Sequence, residues 1–279
     1  MRQFQNSNAT SINRYPNVLH TLSNIFEADE DLRILVFGGS IGLEALTMTR
    51  RFPKARVVSL EINKTSHATA KRIAEIDPRV VPRVSSLADL RKMSAFDIIL
   101  VHSALCDHPG GLRKPVFDAF SFNDFETILD ALLSRLRPDG VISLVNTSYC
   151  FEDSSLSQGF SKVGTQFEGM IPKFAPDGTK IAQLYLHNGW IFAQRNPSVP
   201  RQHVLDRLSG SMFTMGSRRF TPPSTLFSLA ASEMPDVGRP PAQIMVENYV
   251  DMETRLELYN ASAVALGFRF AFGPSALTD

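Results

Sequence analysis

Apolar runs of strand length alternate with amphipathic stretches through the first half of the chain. The runs lie at 34–37, 57–60, 79–84, 98–101 and 141–145. Between them, apolar residues recur at the three- and four-residue spacing of helices. This alternation is typical of a parallel sheet with helices packed on both faces. We therefore expect an α/β, Rossmann-like, doubly wound and mostly parallel sheet.

Helix boundaries are indicated by capping residues. A helix is expected from about Asn17 to the acidic cluster that follows Phe26, and Asn63 is a plausible cap for the helix after the second strand. Ser121 and Asp124 approximate a capping box before an amphipathic helix. That helix is expected to end in a turn at 137–140, ahead of the strand at 141–145.

The pattern changes after Asn146. Residues 149–165 are polar and irregular, whereas Asn188-Gly189 lies between β-like runs at 180–186 and 190–194. An Asn-Gly pair in this position predicts an antiparallel hairpin, which would close the sheet. Helical patterns at 202–208 and 246–266 predict a helical C-terminal extension.

We expect the chain to divide into three parts. Residues 1–30 would be a segment and helix that cover the binding site, and 31–196 would be the core that binds the ligand. Residues 197–279 would be an extension that packs on the core or forms a subunit contact of a homo-oligomer.

A glycine-rich turn at 38–42 stands out as the candidate functional element. It joins the first apolar run to a helix, and Glu61 ends the second run, 19 residues after Gly42. In a βαβ unit, a carboxylate at about this spacing binds a ribose hydroxyl. The sequence therefore predicts half of a nucleotide-type binding site.

Glycine-rich turns also occur in hydrolases, in Walker A loops and in dehydrogenases. Gly38 to Gly42 also fits G-x-S-x-G, in which Ser40 would be a hydrolase nucleophile. A hydrolase elbow follows several strands and an oxyanion motif, whereas only 37 residues precede Gly38. A Walker A loop is excluded by the missing Gly-Lys-Ser/Thr ending. A Rossmann dehydrogenase stays possible, although the G-x-G-x-x-G spacing is absent.

The segment Phe37–Ala45, FGGSIGLEA, resembles the first motif of class I S-adenosylmethionine-dependent methyltransferases, especially bacterial members with a chemotaxis-methyltransferase-like GCSTGEE motif. Further similarity lies in Glu61, in Phe96-Asp97 before the fourth strand, in the LRPDG segment at 136–140, and in Ser148–Asp153. The resemblance spans roughly Arg14 to Pro197.

This resemblance implies S-adenosylmethionine as cofactor and assigns roles to individual residues. Glu61 would accept the ribose hydroxyls, Ile62 would lie against adenine, and His102 would line the methyl-donor end, with a catalytic role as general base a further possibility. The full set of implied cofactor-binding residues is Arg14, Tyr15, Gly38, Gly39, Ser40, Gly42, Glu61, Ile62, Ser86, Leu87, His102 and Ser103.

Composition narrows the acceptor and the setting. A net charge of +1 and the lack of a basic tract argue against a nucleic-acid substrate, so a small-molecule acceptor is expected. No apolar stretch is long enough to cross a bilayer, and a cytoplasmic location is expected. The two cysteines have no zinc-ligand spacing, so no metal is expected.

The alternative is a catalytically silent protein of the same fold that serves as a binding or assembly module. The changes in the first motif favour this alternative. Val36 stands where an acidic residue is common, Gly39 replaces Cys, Ile41 replaces Thr and Leu43 replaces Glu.

Overall fold

A computed structural model describes residues 10–106, 120–167, 173–181, 189–195 and 201–210. Its helices are α1 (Pro16–Ile25), α2 (Leu43–Arg51), α3 (Lys64–Ile76), α4 (Leu87–Leu90), α5 (Phe122–Leu133) and α6 (Gln202–Gly210). Its strands are β1 (Arg33–Phe37), β2 (Arg56–Glu61), β3 (Val80–Val84), β4 (Phe96–His102), β5 (Leu136–Val145), β6 (Phe160–Phe167), β7 (Lys173–Phe174), β8 (Lys180–Ile181) and β9 (Gly189–Gln194).

Seven strands form one mixed sheet in the order β3-β2-β1-β4-β5-β9-β6. The first five pair in parallel, and β9 lies antiparallel between β5 and β6. The predicted doubly wound, mostly parallel sheet with an antiparallel C-terminal pair is therefore confirmed. The chain reverses its direction of travel across the sheet at β1 and β4, and ligands of open α/β sheets bind at the strand C-termini near such a point.

Two apolar cores cover the two faces of the sheet. On one face, α1, α2 and α6 contribute residues such as Leu22, Leu46 and Leu205, which are at most 2% exposed. On the other face, α5 packs its buried Phe125 and Leu129 on β4 and β5. Because both faces are covered, the central strands are apolar on both sides, and β4 is buried at every position.

The predicted caps are present. Asn63 accepts a hydrogen bond from the Ser66 backbone N–H, and Ser121 with Asp124 forms a reciprocal capping box at the start of α5. These bonds satisfy N–H groups that the first turn of a helix leaves unpaired. The predicted starts of α3 and α5 are confirmed.

Two predictions about the C-terminal half of the sheet are wrong. Residues 137–140 lie within β5 as an irregular bulge, because Phe96 pairs with Leu136 and Ile98 then pairs with Val141. Besides β5, the partner of β9 is β6, most of which lies in the segment predicted to be irregular. Lys180–Ile181 pairs instead with Lys173–Phe174 in a separate ribbon. The predicted hairpin residues 182–188 lie outside the described residues.

The start of the C-terminal extension is anchored on the core. Arg201 bonds to Glu30 and to Asp139, where the second distance is 3.2 Å, and its guanidinium lies 4.4 Å from the centre of the Phe26 ring. Helix α6 begins at the next residue, as the periodicity indicated. The predicted helix at 246–266 lies outside the described residues.

Within the described part of the chain, no helix is long and apolar enough to cross a membrane.

Candidate functional site

The glycine turn between β1 and α2 is built from left-handed backbone. Gly38 has φ 76°, Ser40 has φ 48° and Gly42 has φ 92°. Glycine adopts such angles without steric cost, whereas serine does so at some cost. The backbone N–H groups of Gly38 and Gly39 both donate to the carbonyl oxygen of Leu60 at 2.9 Å. The turn is therefore tied to the end of β2.

Close approach of the chain explains two of the glycines. A Cβ at Gly39 would lie 2.0 Å from Oγ of Ser59, and a Cβ at Gly38 would lie 2.5 Å from Cβ of Ala104. Gly39 is thus pressed against β2, and Gly38 against the turn after β4. Glycine at both positions lets the ends of β1, β2 and β4 converge.

Glu61 ends β2 beside this turn and is 7% exposed. Its Oε2 accepts a hydrogen bond from the Ser40 backbone N–H at 2.7 Å, and its Oε1 accepts one from the Asn63 backbone N–H at 2.6 Å. Each carboxylate oxygen has two lone pairs. The described contacts therefore fix the carboxylate while each oxygen keeps the capacity to accept one further hydrogen bond.

Three other predicted residues lie at the ends of β2 and β3. Ile62 and Leu87 are half-buried, and Leu87 packs against the core that carries α5. Ser86 caps α4, because its side chain accepts a hydrogen bond from the Asp89 backbone N–H. The Ser85 N–H donates to the Glu61 carbonyl at 3.0 Å, which ties the two strand ends together.

A second group of side chains meets over the ends of β4 and β5. Oγ of Ser103 lies 3.0 Å from Nη2 of Arg14, 3.1 Å from Oη of Tyr15 and 3.1 Å from Nδ2 of Asn146. Ser103 and Asn146 both have left-handed backbones, with φ 54° and 55°. Non-glycine residues in this region are uncommon and cluster at functional sites.

His102 is held on both sides of its ring. Nδ1 lies 2.5 Å from Oε1 of Glu44, and Nε2 lies 2.8 Å from Oγ of Ser143. The ring also meets the edge of Tyr15, with centroids 4.9 Å apart. Its side chain is 1% exposed, so action as a general base would require one of the two nitrogen contacts to break.

Burial and neighbouring charges perturb two acids of this group. Burial raises the pKa of Tyr15 although the nearby Arg14 opposes the rise, so Tyr15 stays a protonated phenol at neutral pH. Burial also acts to raise the pKa of Glu44, but the charge and hydrogen bond of His102, with help from Arg14, lower it on balance. Glu44 is therefore a carboxylate at neutral pH.

A small cleft opens between α1, α2 and the end of β4. Its lining residues are Arg14, Tyr15, Val18, Leu19, Glu44, Thr47, Leu100 and His102. Its lining mixes polar and apolar side chains, and its volume of about 10 Å³ is room for about one water molecule.

The structure thus gathers the predicted site residues into two neighbouring groups along one edge of the sheet. The glycine turn, Glu61, Ile62, Ser86 and Leu87 lie at the ends of β1 to β3, and Arg14, Tyr15, His102 and Ser103 lie by β4 and β5. The sequence reading missed Glu44, Ser143 and Asn146. Asn146 could have been found, because it directly follows a buried strand, as Ser103 does.

Among the described residues, no group of three or more His, Cys, Asp or Glu side chains is arranged to hold a metal ion.

Comparison with known proteins adds partial likenesses. No protein-family model matches the sequence, and no curated protein matches it. Several of the solved structures that match part of the chain are methyltransferases. PKMT2 from Rickettsia typhi is 23% identical over 47% of this chain and 25% of its own, with a TM-score of 0.35. TehB from Haemophilus influenzae is 13% identical over 64% of this chain and 62% of its own, with a TM-score of 0.42.

The plantazolicin methyltransferase BpumL, solved in complex with SAH, is 15% identical over 47% of this chain and 48% of its own, with a TM-score of 0.35. The chain therefore spans a quarter of PKMT2 and about half of BpumL. The chemotaxis-methyltransferase-like GCSTGEE motif is not shown by any of these likenesses.

Proposed function

We propose that this protein binds S-adenosylmethionine and transfers its methyl group to a small-molecule acceptor. The observation that carries the proposal is the carboxylate of Glu61. It lies at the end of β2 next to the switch point of the sheet, is fixed by backbone N–H groups of the glycine turn and of Asn63, and has one acceptor position left on each oxygen. Two vicinal ribose hydroxyls fit that pair of acceptors.

The residues around Glu61 fit the remaining parts of adenosylmethionine. Ile62 and Leu87 offer half-buried apolar surface to the adenine ring. The turn at 38–42 brings backbone close to the ligand with little side-chain bulk, which suits a nucleoside that carries no pyrophosphate. Arg14 and Tyr15 lie toward β4 and β5, on the side expected for the methionine portion. When bound, the cofactor supplies an electrophilic methyl group on a sulfonium.

The chain's own contribution to transfer would be positioning. Methyl transfer requires the acceptor atom, the methyl carbon and the sulfur to lie in line, and a base is needed only where the acceptor must lose a proton early. Because both ring nitrogens of His102 have partners, we assign it to holding the end of β4 against α2 and β5. The near-neutral charge of the chain supports a small acceptor rather than a nucleic acid.

Isothermal titration with adenosylmethionine and adenosylhomocysteine tests the cofactor claim. We compare wild type with Glu61→Gln, which keeps the size of the side chain and one oxygen but loses half of the acceptor capacity. The affinity of the variant should fall about tenfold or more, as expected for lost hydrogen bonds to a charged group. Glu27→Gln, an exposed residue before β1, is the matched control. Folded wild type that binds neither compound would refute the proposal.

A cofactor-binding protein without turnover is the second candidate. It is favoured by His102, because its two ring nitrogens contact Glu44 and Ser143 and neither is turned toward an acceptor in the described geometry. Incubation with methyl-labelled cofactor and a panel of small amines, phenols and carboxylic acids separates the two candidates. Binding of both ligands without any labelled product favours the silent protein, whereas a single labelled product favours the enzyme.

A further inference from the structure

Two arginines lie side by side at the N-terminal end of the sheet. Arg33 begins β1 and Arg56 begins β2, and the two residues are partners in the parallel register. Register partners on neighbouring strands are about 4.8 Å apart and project from the same face. Leu35 and Val58, two residues further along each strand, pack in the core on the side of α5. Both arginines therefore lie on that face of the sheet.

Neither guanidinium has a hydrogen bond or an ion pair among the residues that the structure describes. The carboxylate of Asp97 on β4 does not supply one, because it accepts from the Arg33 backbone N–H and from Nη1 of Arg137, both at 2.7 Å. Like charges opposite each other on neighbouring strands are unfavourable. The charges of Arg33 and Arg56 are thus left uncompensated within the described part of the chain.

Arg33 is held in a defined orientation by an aromatic ring. Its guanidinium carbon lies 5.6 Å from the centre of the buried Phe96 ring, a distance at which a cation is attracted to a ring face. Nε of Arg33 is enclosed, whereas its two Nη groups are neither buried nor bonded. An ordered side chain loses less freedom when it binds a ligand. Arg33 is therefore prepared to donate hydrogen bonds from its Nη groups.

A phosphate group matches this pair of arginines better than a carboxylate does. It carries about two negative charges and three acceptor oxygens, so it can pair with two guanidinium groups at once. A carboxylate has one charge and two oxygens, which a single guanidinium fork satisfies. Arg135 adds positive charge nearby, since its carbonyl oxygen accepts from the Phe96 N–H at 2.7 Å and its Nη1 donates to the Met93 carbonyl at 3.2 Å.

We propose that Arg33 and Arg56 bind the phosphate group of a small ligand, which is either inorganic phosphate or a phosphomonoester. This site is separate from the candidate cofactor site, because it lies at the starts of β1 and β2 whereas Gly38 and Glu61 lie at their ends. The length of β1 alone sets the two sites about 13 Å apart. Phosphate binding is therefore independent of adenosylmethionine.

Amide NMR titrations at mildly alkaline pH and fixed ionic strength, with chloride as the balancing anion, test the site. Inorganic phosphate and glycerol 3-phosphate should each shift the amides of Arg33, Arg56 and Phe96. Arg56→Gln, a change at an exposed position, should weaken binding of both about tenfold, as expected for lost charge-assisted hydrogen bonds. Arg33→Lys keeps the charge but loses the planar fork, so it should also weaken both.

The two compounds separate the sources of the phosphate group. Tighter binding of glycerol 3-phosphate than of inorganic phosphate assigns the site to an organic phosphate. Equal or weaker binding assigns it to free phosphate.

Arg83→Gln is the matched control, because Arg83 is an exposed arginine of β3 whose register partner on β2 is Leu60 and not another arginine. It should bind both compounds as wild type does. Wild-type affinity of both Arg33→Lys and Arg56→Gln, or equal shifts on addition of chloride alone, would overturn the inference. Larger shifts with a tetraglutamate peptide than with either phosphate compound would also overturn it, in favour of an acidic protein partner.

Discussion

Glu44 and His102 form a buried pair that joins the first turn of α2 to the last residue of β4. Their contacting atoms lie 2.5 Å apart, and the two side chains are 15% and 1% exposed. Because α2 starts directly after the glycine turn, this pair links the turn to the strand end that supports Ser103 and the Arg14–Tyr15 segment. The Glu44–His102 pair therefore connects the two halves of the candidate site.

Loss of the Glu44–His102 pair should destabilise the protein. Glu44→Ala leaves His102 buried without its acidic partner, and loss of one member of a buried pair costs about 3 kcal/mol. The lowered pKa of Glu44 makes its contribution present above the ordinary value of 4.5, and lost as pH falls through the lower folded value. Urea denaturation from pH 7 to pH 3 measures the loss of stability in Glu44→Ala. The difference between wild type and the variant should narrow as pH falls below about 4.5.

Glu75→Ala, an exposed helical residue, is the control for this change. If both variants lose the same free energy of unfolding at pH 7, the pair has no special role.

The parallel half of the fold was predictable because its signals are local. Each buried strand is a short apolar run, and residues such as Asn63 and Ser121 announce the helix that follows. The edge was not predictable in the same way. Strand β6 lies at the edge of the sheet, where Val163 enters a core but the polar Lys162 stacks 4.4 Å over Trp190 of β9. Its pairing depends on contacts far apart in the chain.

The candidate site likewise contains residues that were predictable from local sequence and residues that were not. Gly38, Gly42 and Glu61 could be proposed from spacing, since one βαβ unit places them. Glu44 and Ser143 belong to the site only because they contact His102. Asn146 belongs to it because it contacts Tyr15, 131 residues away. Such partnerships arise from the order of strands, which the local pattern does not contain. The bulge at 137–140 was missed because its Pro-Asp-Gly run is also an ordinary turn signal.

Gly39 and Ser59 offer a test of the close packing under the glycine turn. A Cβ at position 39 would lie 2.0 Å from Oγ and 3.3 Å from Cβ of Ser59. Gly39→Ala should therefore destabilise the protein by about 2 kcal/mol, as overpacking does. Ser59→Ala should cost little, because the buried Ser59 hydroxyl has no hydrogen-bond partner within the described residues.

The double variant Gly39→Ala/Ser59→Ala should recover most of the loss, because the closest clash is with the removed oxygen. Thermal unfolding of all four proteins completes the cycle. Additive effects of the two substitutions would contradict direct contact between the two positions.

Asp77 gives a prediction for acid stability away from the site. The carboxylate accepts hydrogen bonds from the Arg79 guanidinium at 2.6 and 2.9 Å and from the Thr49 hydroxyl at 2.8 Å. Burial acts to raise its pKa, but these bonds outweigh burial and lower the pKa below 3.8. Asp77→Asn should cost about 2 kcal/mol at pH 7.

The sign with pH follows from the lowered pKa. Since the folded carboxyl holds its proton less tightly than the unfolded one, its contribution is full above the ordinary value and disappears as pH falls through the folded value. Urea titrations from pH 7 to pH 3 should therefore show the gap between wild type and Asp77→Asn closing below about pH 4. Asp31→Asn, at an exposed position, should show no such convergence.

Lys173 should make the protein more stable as the solution becomes moderately alkaline. Its ammonium is buried and donates to the Thr147 carbonyl and hydroxyl, both at 2.6 Å, and to the Tyr149 carbonyl at 3.2 Å. Burial nevertheless lowers its pKa from 10.5 to about 8, against the raising effect of nearby groups that include Cys150 and Glu152. Between these two values the unfolded chain holds a proton that the folded chain has released, so higher pH favours folding.

We expect the free energy of unfolding of wild type, relative to Lys173→Met, to rise between pH 8 and pH 9.5. The variant itself should be less stable at every pH, because it leaves the Thr147 carbonyl without its Lys173 donor and removes one of the two donors to the Tyr149 carbonyl. The comparison therefore depends on the slope and not on the offset. Lys92→Met, at an exposed position after α4, serves as the control and should run parallel to wild type. Parallel curves for wild type and Lys173→Met would show that Lys173 keeps its proton in the folded protein up to pH 9.5.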